Sequence, residues 1–193
     1  MRIDRILEKY KLIDRFQTQL DLTPEQFESY MGTLTEKGSS SRYLSFFDLL
    51  RASEYEFIGL VRNNQFNIRE RIVINKLGIP NRTNVKAVFK KDGDQLTVDT
   101  KLQGMGYFTF FGRVLIVVFY ALVLVMWFLE LLLMLFSSDA ESINEQWFAG
   151  PMVLTLIVAL LVYIPYDLAK SDVIKMKKEM KSLYQRIERS SLN

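Results

Sequence analysis

Two stretches of this chain lack a polar face, whereas elsewhere charged and apolar positions alternate every few residues. Residues 114–136, VLIVVFYALVLVMWFLELLLMLF, are apolar throughout except for Glu130. At about 1.5 Å per residue such a helix reaches roughly 34 Å, enough for a hydrocarbon core of ~30 Å. Residues 148–166, FAGPMVLTLIVALLVYIPY, form a second run of the same kind. The linker SSDAESINEQW between them is too short to fold by itself, so the pair predicts a transmembrane helical hairpin. Helices of a soluble core normally keep a polar stripe, and these do not.

The remainder changes period along its length. In MRIDRILEKYKLIDRF, the residues Ile3, Ile6, Leu7, Tyr10 and Ile13 fall on one helical face, which predicts an amphipathic helix packed on its own domain or on a partner. Recurrent charges and the lack of an apolar run of ~7–15 residues argue against a signal peptide. A second helix starts at LTPEQFESYM, with Thr23 as N-cap, Pro24 at the first helical position and Gln26 completing a capping box. It is expected to end near Gly32 or Gly38, with KGSSSR at 37–42 as a connector.

From Tyr43 onward the runs EYEFIGLVR, QFNIRERIVI, TNVKAVFKK and QLTVDTKL read as strands. They are separated by Asn63-Asn64, LGIPN and Asp92-Gly93-Asp94. In the second run Phe66, Ile68, Ile72 and Ile74 share a face, opposite Asn67, Arg69 and Arg71; in the third, Val85, Ala87 and Phe89 oppose Lys86 and Lys90. The expectation is an antiparallel meander with one apolar face, covered by helices from residues 3–34. The fold class expected is therefore an α+β membrane protein. Its segments are N-terminal helices and linker (1–42), a cytoplasmic β module (43–111), the hairpin (112–168) and a C-terminal amphipathic helix (169–193).

Charge sets the expected orientation. The linker carries Asp139, Glu141 and Glu145 with no Lys or Arg, whereas seven Lys and Arg follow the second apolar run and Arg113 precedes the first. By the positive-inside rule both termini are cytoplasmic. The net charge of +3 then sits toward anionic headgroups. The mean hydropathy of +0.07 averages two segments of opposite character. Tyr107, Arg113, Tyr163 and Tyr166 are placed as anchors at the inner interface and Trp147 at the outer one. Pro165 is expected to bend the exit of the second helix. Beyond it Val173, Ile174, Met176, Met180, Leu183, Tyr184 and Ile187 recur at steps near three and four, with Lys175, Lys177, Lys178 and Lys181 forming a basic cytoplasmic face. Such a helix can return onto the cytoplasmic domain, coil with another chain, or lie along anionic lipid.

The order Phe57-Ile58-Gly59-Leu60-Val61-Arg62-Asn63-Asn64-Gln65-Phe66-Asn67-Ile68, followed by Arg69, Glu70, Arg71 and Ile72, resembles that of uncharacterised small bacterial membrane proteins. In those a strand-rich module runs through an Asn…Pro turn, here Asn75 and Pro80, into a two-helix anchor. The resemblance spans residues 43–187 and implies architecture and a bacterial inner membrane location; it carries no activity.

Chemistry is sparse. The chain has no Cys and no His, which removes disulfides, thiol nucleophiles, imidazole catalysis and the usual zinc and haem ligands. No nucleotide-binding loop, nucleophile elbow or basic stripe with stacking aromatics is present, since LQGMGYF lacks the following Lys-Ser/Thr. The expectation is a non-enzymatic chain with no cofactor, no small-molecule substrate and no nucleic acid. Its expected partners are the lipid bilayer and another protein or further copies of itself. Glu130 is the intramembrane contact candidate, with Thr155 a further hydroxyl on the second helix. The expected function is an interaction or assembly subunit presenting an α+β domain to a larger membrane complex. The alternative is an oligomeric pore using Glu130 in the bundle core.

Overall fold

The computed structural model describes residues 2–40, 55–71, 83–136 and 146–191. It divides into two compact units, residues 1–105 with 169–193, and residues 106–168.

The first unit opens with α1 (Arg2–Lys9). The helix stops in a Schellman arrangement. Leu12 N–H donates to Leu7 C=O (2.8 Å) and Lys11 N–H to Glu8 C=O (2.9 Å), with Lys11 left-handed at φ 58°. Leu7 and Leu12 are both buried, which supplies the apolar contact of that motif. The chain then enters β1 (Ile13–Leu20), where the sequence reading continued a helix. Ile13, Phe16 and Leu20 fit helical spacing, but pairing of the whole segment with β6 (Gln95–Gln103) decides its conformation.

The capping box at α2 (Pro24–Leu34) is present as expected: Gln26 N–H donates to Thr23 Oγ1 (3.2 Å) and Thr23 N–H to Gln26 Oε1 (3.0 Å). The helix leads directly into β2 (Thr35–Lys37), so part of the expected 37–42 connector is strand. The four anticipated strands follow as β3 (Phe57–Arg62), β4 (Gln65–Glu70), β5 (Asn84–Asp92) and β6, an antiparallel meander. Their turns obey local chemistry. Asn63 and Asn64 both have positive φ, as a type I′ hairpin requires, and Gly93 at φ 65° supplies the first central residue of a II′-like turn. The LGIPN turn, Ile72, Ile74, Asn75, Pro80 and the acidic linker residues Asp139, Glu141 and Glu145 lie outside the described residues.

The sheet order is β1-β6-β5-β4-β3-β2, with β2 parallel to β3 and all other pairs antiparallel. It is therefore mixed rather than a pure meander. At the β1 edge Gly104 N–H donates to Leu12 C=O, so alternate residues from Leu12 face β6 and Arg15 turns its amide outward. The outward amides of Arg15 and Asp21 are taken by Asp14 Oδ1 (2.8 Å) and Glu188 Oε1 (3.1 Å), which blunts this edge.

One face of the sheet carries Leu20, Phe57, Phe66, Ile68, Val85, Ala87, Phe89, Leu96, Val98 and Leu102, all in the buried core. Its cover comes from α2, through Phe27 and Met31, and from the C-terminal part of α4 (Gln146–Ser191). Residues 3–34 thus supply part of the cover, and the C-terminal stripe takes the first of its three expected placements, returning onto the domain. Val173, Met176, Met180, Leu183, Tyr184 and Ile187 enter the same cluster, while Ile174 of the expected stripe is exposed. Phe27 stands at the centre, with ring centroids 5.0 Å from Phe89 and 5.7 Å from Tyr184. Tyr184 Oη and Thr100 Oγ1 share a buried 2.8 Å hydrogen bond, and burial pushes the Tyr184 phenol well above its usual pKa, only partly opposed by that bond. The opposite face also departs from expectation, because Arg69 and Arg71 are buried rather than solvated. Arg71 is held there by an ion pair with Glu36 of β2, a partner distant in sequence.

Candidate functional site

The second unit contains α3 (Tyr107–Phe136) and the first part of α4. Two contacts set how these helices meet. Tyr120 hydrogen-bonds Thr155, and the Trp127 ring lies edge-on to Phe148 at 5.8 Å. The second contact is seven residues further along α3 and seven residues earlier on α4, so the helices run antiparallel, as the hairpin requires. Thr155 Oγ1 donates its one proton to Pro151 C=O (2.6 Å), which leaves Tyr120 Oη as the donor in the Tyr120–Thr155 bond. Thr155 is thereby satisfied by its own backbone and by the neighbouring helix at once.

Tyr120, Leu124, Trp127, Leu131 and Met134, all half-covered, lie along this side of α3 at steps of four, three, four and three, with Leu132 half-covered beside them. That is the repeat of helices packed in a left-handed pair. No residue of α3 is buried along its length. Both helices are long and apolar enough to cross a membrane, and neither of their most hydropathic windows is buried within the chain. This separates them from core helices of a soluble fold, whose apolar faces the chain itself covers. The surface left over is far larger than the apolar patches soluble monomers expose, so it meets lipid or a partner.

The antiparallel register places the expected anchors. Tyr107 and Arg113 on α3 and Tyr163 and Tyr166 on α4 fall at one end of the hairpin, and Trp147 lies toward the other. Tyr163 is exposed, whereas Arg113, Trp147 and Tyr166 are half-covered. Glu130 is exposed on α3, six residues or about 9 Å before the helix ends at Phe136. Among the described residues it makes no hydrogen bond or ion pair. It lies beside the Trp127 seam rather than in it, so α4 does not supply its partner.

The four lysines of the expected basic face are distributed over two flanks of α4. Lys177 pairs with Asp14 at 2.8 Å, and Lys177 and Lys181 both stand over the Phe16 ring, 5.9 and 5.7 Å from its centroid. Lys175 and Lys178 are exposed on the other flank. The helix continues through Pro165 without ending, so the expected separate C-terminal helix is the far end of one 46-residue element. Its apolar stripe, Ile174 apart, is used against the sheet.

An open cleft of about 430 Å³ in the first unit is lined by Glu56, Phe57, Glu70, Lys178, Glu179, Ser182, Leu183 and Arg186. Arg186 and Glu56 approach to 3.9 Å at its exposed rim. Among the described residues no cluster of carboxylates has the arrangement of a metal site. Sequence reading did not find this cleft, since it forms only where α4 meets β3 and β4.

Comparison with protein-family models, with curated proteins and with solved structures gave no match.

Proposed function

We propose that this protein is a membrane-anchored assembly subunit: the hairpin of α3 and α4 spans a bacterial inner membrane, and the six-stranded α+β unit is presented on the cytoplasmic side. The observation that supports this reading is Glu130, exposed on an apolar helix without a partner among the described residues. A carboxylate at the bilayer centre costs on the order of 2.5–3.5 kcal/mol on insertion scales, less toward the interface, and such residues normally find a protein partner. The orientation with both termini cytoplasmic rests on the basic residues after the second apolar run and the acidic linker. The reading asks for no reaction and no cofactor.

Mass measurement after purification in mild detergent tests it. The expected result is a particle heavier than one 22.6 kDa chain with its detergent, containing further copies or a second protein. A lone chain at every detergent concentration used refutes it. Ion flux through vesicles holding the purified protein, lost on Glu130→Gln, favours the pore alternative instead.

A further inference from the structure

We infer that the outward face of α1 and the turn after it dock on the anionic headgroups of the membrane that α3 and α4 span. The inference rests on the spanning part of the functional reading and adds a second membrane contact to it. Along the sequence α1 has a mixed polar face, with Asp4 and Glu8 set among Arg5, Lys9 and Lys11. The fold sorts these charges. Arg15 of β1 pairs with Asp4 at 3.0 Å and with Glu8 at 2.8 Å, and Lys101 of β6 reaches Asp4 at 2.9 Å, so both acids are engaged by the sheet. Arg5, Lys9 and Lys11 are left exposed, and among the described residues their side chains have no acidic partner. Ile6 and Tyr10, one turn apart, are 44% and 47% exposed beside them, whereas Leu7 is buried. A basic surface carrying an aliphatic and a tyrosyl side chain has the composition of a helix face that lies in a headgroup layer.

Two observations select anionic lipid as the occupant. The first is sign, because three unpaired cations are drawn to a negative surface, each strengthening the attraction about fivefold. The second is place. Gly104 N–H donates to Leu12 C=O at 2.8 Å, which ties the turn after α1 to the end of β6. Tyr107 opens α3 three residues after Gly104, so covalent geometry alone keeps that tie within about 11 Å of the start of the helix. An acidic protein meets the first condition only; the bilayer meets both, because α3 enters it. Since the hairpin already holds the chain at the membrane, docking is intramolecular and a short surface suffices.

The chain has no cysteine, so a nitroxide can be attached at one chosen position. The full chain carrying Ile6→Cys, Gln19→Cys or Val123→Cys is labelled and reconstituted in vesicles of phosphatidylcholine with or without phosphatidylglycerol. Collisions with oxygen report lipid, and collisions with a neutral nickel chelate report water. In vesicles with phosphatidylglycerol, position 6 is expected to be shielded from nickel and rich in oxygen, while position 19, exposed at the far end of β1, stays open to nickel. Arg5→Gln, Lys9→Gln and Lys11→Gln are each expected to lower the docked-to-free ratio at position 6 about fivefold, and together about 100-fold. Raising salt from 0.1 to 1 M shortens the Debye length from about 10 to about 3 Å and is expected to release the label likewise. A position 6 as open to nickel as position 19 overturns the inference. So does shielding that persists unchanged without phosphatidylglycerol or in the triple variant, since protein rather than lipid charge then covers the face. Oxygen-rich collisions at position 123 with water at position 6 remove this inference alone; water at position 123 removes the spanning reading with it.

Discussion

Tyr184 provides a direct measure of how far the C-terminal part of α4 belongs to the core of the first unit. Tyr184→Phe keeps the ring contacts to Phe27 and Phe16, at 5.7 and 6.2 Å, and deletes only the hydroxyl bonded to Thr100. Thr100 is 2% exposed, so water does not replace the lost partner. Leaving one buried hydroxyl unsatisfied costs about 1–3 kcal/mol. Thr100→Val leaves the phenol stranded and is expected to cost a similar amount. The double variant removes both polar groups and is expected to be close to wild type, because burying two apolar groups of the same shape carries no such penalty. The assay is amide hydrogen exchange of the full chain in detergent, read on β6 and on residues 169–191. Amides that exchange through opening of the whole unit are expected to accelerate about 5- to 150-fold in each single variant. Additive effects in the double variant, or no acceleration in either single one, refute the argument that this bond ties α4 to the sheet.

Other outcomes follow from the same packing. Burial raises the Tyr184 pKa in the folded state, so its neutral form stabilises the fold fully below the unfolded value near pH 10. Above that pH stability falls by up to about 1.4 kcal/mol per unit from this group, a slope that Tyr184→Phe removes in alkaline unfolding curves. Gly104→Ala would set its Cβ 2.5 Å from both the Ala169 carbonyl oxygen and a Val173 methyl, and is expected to cost about 1–3 kcal/mol in denaturant midpoints. Lys11 holds the left-handed position after α1, so Lys11→Gly is expected to stabilise the first unit by up to about 1 kcal/mol and Lys11→Val to destabilise it. Tyr120→Phe removes the donor to Thr155 and is expected to loosen the hairpin by about 0.6 kcal/mol, seen as faster exchange of α3 amides.

The strands β3 to β6 were legible because each alternates at period two and is bounded by residues with a definite turn preference. Asn63-Asn64 and Gly93 adopt the positive φ their chemistry favours. The start of α2 was equally legible, since a capping box is a contact between residues three apart. The end of α1 was not, because its left-handed residue is Lys11 rather than the glycine that would have marked it. With that stop hidden, Ile13 reads with the helix although it opens an edge strand. The three residues of β2 carry too short a pattern to read, and Glu36 within it pairs with the buried Arg71.

Glu130, Tyr107, Arg113, Trp147, Tyr163 and Tyr166 are readable as positions along the two long helices. Whether Glu130 faced α4 was not, because that depends on which strip of α3 holds the seam, and Tyr120 and Trp127 set it. The lysines show the same limit. Their basic character is in the sequence, but only Asp14 and Phe16, brought from more than 160 residues away, divide them between two flanks of α4.

By itself, then, the sequence determined what depends on neighbours within a few residues: two apolar spans, the strand period, the turns, one helix start and the absence of cysteine and histidine chemistry. Tertiary structure decided the outcomes that depend on remote partners. It converted residues 13–20 to strand by pairing with β6, chose the sheet over lipid for the stripe of α4, buried Arg69 and Arg71, and left Glu130 facing outward. Each of these is settled by a contact or its absence between segments distant in the chain, which no local periodicity encodes.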